Sequence, residues 1–245
     1  MLYLTRYSTF FIFGGTMNIA TTLRYVNFNN GSPWEERYYI MNDYLLMAEK
    51  YKIGMHAVMS PFECERICEL CDGLIIPGSG TNIHPKYYGG VLEGDAPQKD
   101  EYALDAKLID LFFKAGKPIF GICGGHQAIN VYFGGTIKKL DDYYVHQNEE
   151  TKRHVINVKE ESFVHDVFKS ARAEVNCYHN WEIDRLAPSL EVVARTDDGV
   201  IEAVQHTSAP VYATQWHPEQ SFHTGDPTEH LFFENFLEEC RQRAK

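Results

Sequence analysis

The feature that most constrains the fold is a repeated alternation. A short apolar run, suited to a strand buried on both faces, is followed by a helical pattern, and the unit recurs. Ile19–Val26 reads as such a strand, Ile53–Met59 as a second, Gly73–Pro77 as a third and Pro118–Ile122 as a fourth. Glu35–Tyr51 carries Tyr38, Tyr39, Met41, Leu45, Leu46 and Ala48 at helical spacing. Ser60-Pro-Phe-Glu63 has the form of a helix start, with Ser60 as N-cap and Glu63 closing a capping box. Asp100–Ala115 is amphipathic and stops at Gly116, a C-cap signal. Another helix runs from about Gly124 to Tyr132. Such β-α-β alternation implies a parallel sheet covered on both faces.

The second half is richer in strands. His154–Lys159, Ala173–Asn176, Leu190–Arg195, Val200–Gln205 and Pro210–Trp216 all qualify, with a hairpin expected across Asp197-Asp-Gly199. His230–Arg243 closes the chain as an amphipathic helix. No repeat or linker interrupts the pattern. The expected fold is therefore one α/β domain over 17–245: a doubly wound, mostly parallel sheet with helices on both faces and a β-rich insertion. Met17 begins this pattern, so residues 1–16 read as a dispensable extension, which expression from Met17 tests. Their apolar patch, Phe10–Phe13, is far shorter than the ~20 residues of a membrane helix.

Charge excludes one class of partner. A net charge of −11 and a pI near 5.4 argue against general nucleic-acid binding, which calls for a basic surface. With 44% hydrophobic residues the 245-residue chain has no need of disulfide staples, so its six cysteines read as reduced thiols of a cytoplasmic protein. No membrane association is expected. A homodimer is compatible with the sequence but not implied by it.

Gly121-Ile-Cys-Gly-Gly125 has the shape of a nucleophile elbow with sulfur in place of oxygen. A sharp strand-to-helix turn raises Cys123, glycines remove obstructing Cβ atoms, and the helix N-terminus favours thiolate. The Gly124 amide then faces the place where an oxyanion would form. Pro77-Gly-Ser-Gly80, after the third strand, supplies a second donor from Gly78 or Ser79. A thiol also needs a base with an orienting partner. Among 11 histidines, His217 in Gln215-Trp-His-Pro-Glu219 has Glu219 two residues on, across a stiffening proline.

These residues resemble class I glutamine amidotransferases and, more narrowly, the γ-glutamyl-γ-aminobutyrate hydrolase family of cysteine peptidases (C26). The resemblance runs from about Met17 to Phe236. It includes Pro77–Gly89, the helix at Asp100, Asn130–Gly135, Asn176-Cys-Tyr-His179 and Asp198–Ala203. It implies a flavodoxin-like sheet and a Cys-His-Glu triad that attacks a γ-glutamyl amide, releases the amine and loses glutamate by hydrolysis of a thioester. Carried over, Cys123 is the nucleophile, His217 the base and then acid, and Glu219 its orienting partner. Gly78, Ser79 and Gly124 correspond to the oxyanion donors, and Gln127 to a substrate-contacting position. No metal or organic cofactor is implied, and the partner is a small γ-glutamyl compound. Two departures bear on the leaving amine: Gly124 stands where many of these hydrolases have Arg, and Asn180-Trp181 follows His179. A glutaminase module feeding a synthase partner, or a binding protein with a vestigial site, are the alternatives.

Other candidates divide between site and scaffold. His179 is balanced between substrate contact and loop support, and Tyr87 and Tyr88 are candidates for the pocket wall. His126 reads as packing on the elbow helix, and His146 and His154 as surface residues. Cys64, Cys68 and Cys71 have the spacing of a radical-SAM iron–sulfur motif. At i, i+4 and i+7 within a capped helix, however, they share one face and read as core thiols.

Overall fold

The structure is a computed structural model and describes residues 17–27, 36–91, 99–140 and 153–244. The segment 1–16 and His146 lie outside the described residues. The strands are β1 (Asn18–Thr22), β2 (Arg24–Asn27), β3 (Glu36–Tyr39), β4 (Gly54–Val58), β5 (Gly73–Ile76), β6 (Ile119–Ile122), β7 (Thr136–Lys139), β8 (Arg153–Val158), β9 (Arg172–Asn176), β10 (Trp181–Arg185), β11 (Leu190–Thr196), β12 (Ile201–His206) and β13 (Val211–Thr214). The helices are α1 (Asn42–Tyr51), α2 (Cys64–Leu70), α3 (Glu101–Lys114), α4 (Gly124–Tyr132), α5 (Phe163–Phe168), α6 (Ser221–Thr224) and α7 (His230–Arg243).

Among the described residues nine strands form one sheet in the order β4-β1-β5-β6-β13-β12-β11-β8-β9. The first five are mutually parallel, and the remaining four extend the sheet antiparallel. The strand-rich second half therefore mostly continues the main sheet. Of its strands, β10 leaves that sheet and pairs with β7.

Period-two alternation divides the core. Leu74, Ile76 and Ile119 join a cluster with Leu108, Ile109 and Phe112 of α3 and Ile129 of α4. Ile75, Phe120 and Ile122 face the other way, onto Tyr44 and Met47 of α1 and Phe232, Phe233 and Phe236 of α7. Each such fully buried side chain contributes roughly 1.5–3 kcal/mol relative to exposure, which is why apolar runs predict these strands well. Phe120 meets Phe233 edge-on at 5.6 Å between ring centroids.

Two expectations fail at the first turn of chain. The single strand expected over 19–26 breaks at Leu23: β1 belongs to the main sheet, whereas β2 pairs antiparallel with β3. The helix expected from Glu35 starts only at Asn42, because Glu36–Tyr39 is strand β3. Tyrosines favour a pleated surface, and β2 provides the partner, so the helical spacing of Tyr38 and Tyr39 is incidental. The capping box before α2 is half formed. Glu63 Oε1 accepts from the Ser60 amide at 3.0 Å, but the Ser60 hydroxyl accepts from Phe62 rather than Glu63.

The three cysteines of this region are buried in the α2–α3 core cluster. Burial pushes all three thiols up, Cys71 to about 12. Among the described residues no His, Cys, Asp or Glu group is arranged to hold a metal ion, and no helix is long and apolar enough to cross a membrane.

Candidate active site

Sheet order assembles the site. β5, β6 and β13 are neighbours, so the segments leaving their carboxyl ends converge: Gly78-Ser79 after β5, Cys123 after β6 and His217 after β13. This edge of an open parallel sheet is where ligands bind.

Cys123 sits between β6 and α4 with φ 52° and ψ −105°, a strained backbone for a residue with a Cβ. The sharp corner is possible because its neighbours are glycines. A Cβ on Gly121 would lie 2.6 Å from Ile129 Cδ1 and 2.7 Å from the Gly125 carbonyl oxygen. The Cys123 amide is committed to Thr214 O at 2.8 Å, tying the elbow to β13, while its thiol makes a long 3.9 Å contact with Tyr178 O.

His217 Nδ1 lies 2.6 Å from Glu219 Oε1, and both side chains are buried. Since the carboxylate accepts, Nδ1 carries the proton and Nε2 is the nitrogen left for the Cys123 sulfur. Burial disfavours the imidazolium, but the charges of Glu219 and of the sulfur outweigh it and raise the His217 pKa well above its ordinary value. Gly78 packs against both the His217 and the Cys123 side chains. A Cβ there would stand 2.8 Å from His217 Cε1 and 3.4 Å from Cys123 Cβ. Asn176 fixes the His217 backbone from both sides, accepting from its amide at 2.9 Å and donating to its carbonyl at 2.8 Å.

The donor loop closes on the elbow. A Cβ on Gly124 would come 2.8 Å from the Ser79 amide nitrogen, so the donor loop packs directly against the backbone of the elbow. The Ser79 hydroxyl donates to Glu101 Oε2 at 2.5 Å and accepts from Thr81 N at 2.8 Å. A cavity of about 480 Å³ opens here, its lining including Cys123, His217, Gly78, Ser79, Gln127 and His179 together with Tyr39, Asn82, Asn180, Trp181 and Gln220. Apart from Cys123 and the two histidines, its described wall carries no ionisable group other than tyrosine.

The remaining sequence candidates scatter. Gln127 lines the cavity, but its amide donates to Trp181 O at 3.0 Å and Gln215 Oε1 at 3.1 Å. His179 also lines it, with Nδ1 donating to Trp181 O at 3.0 Å and Nε2 3.3 Å from Glu202 Oε1. Tyr88 is not among the described lining residues and, with Tyr87, packs against the core cluster. His126 is fully buried, bonds Gln215 at 3.1 Å and is pushed down to about 4 by burial. His154, expected at the surface, is instead tucked 3.4 Å from Glu202, because β8 brings it onto that buried carboxylate.

Asn176, Glu101 and Glu202 went unassigned on sequence reading. Glu202, in the otherwise apolar centre of β12, is fully buried and held below the usual carboxylate range: His179 and His154 overcome the penalty of burial. An acid within an apolar strand was the available signal.

The fold and the elbow define the class I glutamine amidotransferase-like architecture. Among solved structures, a protein from Thermoplasma acidophilum described as part of a GMP synthase superposes with a TM-score of 0.64 at 21% identity, covering 94% of this chain and 96% of that one. The glutaminase domain of Trypanosoma brucei CTP synthase, solved with bound acivicin, gives a TM-score of 0.60 at 15% identity, with 91% and 94% covered. The chain belongs to the peptidase C26 family, whose family model matches residues 19–219. Among curated relatives, the γ-glutamyl-γ-aminobutyrate hydrolase PuuD of Escherichia coli K12 is 29% identical over 202 residues, which are 76% of this chain and 78% of that protein. The glutamine amidotransferase-like protein YvdE of Lactococcus lactis is 32% identical over 167 residues, 63% of this chain and 69% of its own length. Family membership supports a hydrolase.

Proposed function

We propose that this chain hydrolyses the γ-glutamyl amide bond of a small γ-glutamyl-amine, with Cys123 as nucleophile. The observation that carries the reading is the buried His217–Glu219 pair, directed at a cysteine on a glycine-built elbow. His217 takes the thiol proton as the nucleophile forms, and Glu219 holds the imidazole in the tautomer that can do so. The thiolate adds to the amide carbon, and the carbonyl π pair moves to oxygen among the amides of Gly124, Ser79 and Gly78. Collapse breaks the C–N bond while His217 gives its proton to the leaving amine. Water then attacks the thioester with His217 as base, releasing glutamate and restoring the thiol.

Gln127, His179 and Tyr88 remain proposed substrate-side residues, the first two as parts of the cavity wall. The relative PuuD, by name a γ-glutamyl-γ-aminobutyrate hydrolase, supports the bond type. The CTP synthase glutaminase domain among the fold neighbours and the amidotransferase-like relative YvdE support a second reading, in which glutamine is cleaved and ammonia passes to a synthase.

A panel of γ-glutamyl conjugates of γ-aminobutyrate, polyamines, ethanolamine and amino acids, with glutamine included, separates the two by mass spectrometry. Turnover of a conjugate by the isolated chain is expected. Turnover of glutamine alone, stimulated by a partner, would favour the second reading. No turnover of any member, together with no labelling of Cys123 by acivicin, would overturn both.

A further inference from the structure

Arg24 occupies an unusual place. It opens β2, one residue after β1 ends and the chain leaves the main sheet, and is only 3% exposed. Its guanidinium is divided between two kinds of partner. One edge, Nη1, meets both oxygens of Asp105 at 3.1 and 2.9 Å, and Glu101 Oε2 stands 3.7 Å away. The other edge faces the donor loop, with Nη2 donating to Pro77 O at 2.7 Å and Nε to Gly78 O at 3.2 Å. Burial works against the guanidinium's charge, yet Asp105 and Glu101 more than compensate, so the group stays a cation.

The consequence follows from peptide geometry. In a planar trans peptide the C=O and the next N–H point in opposite directions. Gripping Pro77 O turns the Gly78 amide away from Arg24, and gripping Gly78 O does the same for Ser79. Away from Arg24 is toward the elbow, where the Ser79 nitrogen meets the position of a Gly124 Cβ at 2.8 Å. A buried ion pair serving stability alone needs only Asp105. The two carbonyl bonds are additional, and only the planar fork of arginine spans both along with a carboxylate.

We propose that Arg24, braced by Asp105, is a positioning residue for the acyl transfer: it sets the peptide planes of Pro77–Ser79 so that two amides are aimed at the developing oxyanion. This rests on the hydrolase reading above. Asp105 is oriented in turn by Thr22, whose hydroxyl donates to it at 2.8 Å. The arrangement was hidden in the sequence except for one sign: Asp105 falls on the buried stripe of α3 with Tyr102, Leu108, Ile109 and Phe112.

The test separates oxyanion binding from sulfur reactivity. An aldehyde analogue of the γ-glutamyl group adds to Cys123 as a thiohemiacetal: sulfur bonds to carbon, the π pair moves to oxygen, and His217 supplies the proton or leaves the oxyanion in the hole. Iodoacetamide alkylates the same thiolate by displacing iodide and forms no oxyanion. Arg24→Lys keeps the charge beside Asp105 but cannot bond two carbonyls as well. We expect kcat to fall about 10- to 100-fold with KM little changed, less than the roughly 10²–10³-fold of losing an oxyanion donor outright, because the amides remain and only their aim is lost. Aldehyde affinity should fall by the same factor as kcat/KM, while the alkylation rate stays close to wild type; the thermal midpoint falls because two buried carbonyls lose their donor.

Unchanged aldehyde affinity in a folded Arg24→Lys protein would overturn the inference, whatever happens to turnover. Should Arg24→Lys not fold, Asp105→Asn reads the same split, and equal loss of alkylation and aldehyde binding in it would count against the proposal. Wild-type protein that forms neither adduct would instead overturn the hydrolase reading itself.

Discussion

Cys123 and the trio Cys64, Cys68 and Cys71 carry the same functional group into opposite circumstances. The trio lies in and just beyond α2, against α3, where burial raises the thiols and holds them neutral. Lys117 donates to the carbonyls of Cys68 and Cys71 at 2.6 and 2.7 Å, serving the end of the helix rather than the sulfurs. Cys123 is also buried, but it sits on a strained corner beside His217, whose imidazolium is supported by Glu219. On the proposed reading, burial is therefore not what separates an inert thiol from a nucleophile; backbone conformation and a neighbouring imidazole are.

The largest expected effect breaks this comparison most bluntly. Cys123→Ala should lower turnover by about 10⁴-fold or more while leaving the protein folded, since removing a nucleophile leaves only binding and oxyanion stabilisation. Steady-state assay beside a circular dichroism melt checks both halves. Glu219→Gln comes next. Loss of its charge lowers the His217 pKa, so the imidazolium is lost at lower pH, and kcat should drop on the order of 10²–10³-fold. The alkaline limb of the kcat/KM profile should move to lower pH, and an unmoved limb would show that Glu219 does not support the imidazolium.

Glu229 sharpens the role of burial. It accepts from Trp216 Nε1 at 3.1 Å, and burial, only partly offset by Arg153, pushes its carboxyl from 4.5 up to about 7. With the folded value above the unfolded one, its contribution is fully present below 4.5 and is lost as pH rises through about 7. Glu229→Gln should therefore raise stability relative to wild type above pH 7, by at most about 3 kcal/mol, and change little near pH 4. Urea unfolding at the two pH values measures the difference. The smallest effect belongs to the trio. Cys68→Ala should cost about 1–2 kcal/mol of stability from lost packing and leave kcat within about twofold.

Local chemistry was legible in the sequence, and long-range chemistry was not. The elbow helix at Gly124–Tyr132 and the last helix at His230–Arg243 match the expected bounds because periodicity and glycine placement act within a few residues. His217 and Glu219 were found together because they are two residues apart and bond directly. Arg24 was missed because its partners stand 53, 54 and 81 residues away and nothing near it announces them. The clamp of Asn176 on the His217 backbone spans 41 residues and was hidden for the same reason. Tyr38 and Tyr39 misled because a helical spacing of aromatics cannot exclude a strand when a partner strand is at hand.

The most direct test is to treat native protein at neutral pH with a limiting amount of a γ-electrophilic glutamine analogue and map the adduct by peptide mass spectrometry. One adduct, on Cys123, forming at least about 10²-fold more slowly in His217→Asn, is the expected result. Adducts on Cys64, Cys68 or Cys71 at comparable rates, or a Cys123 adduct indifferent to loss of His217, would contradict the account.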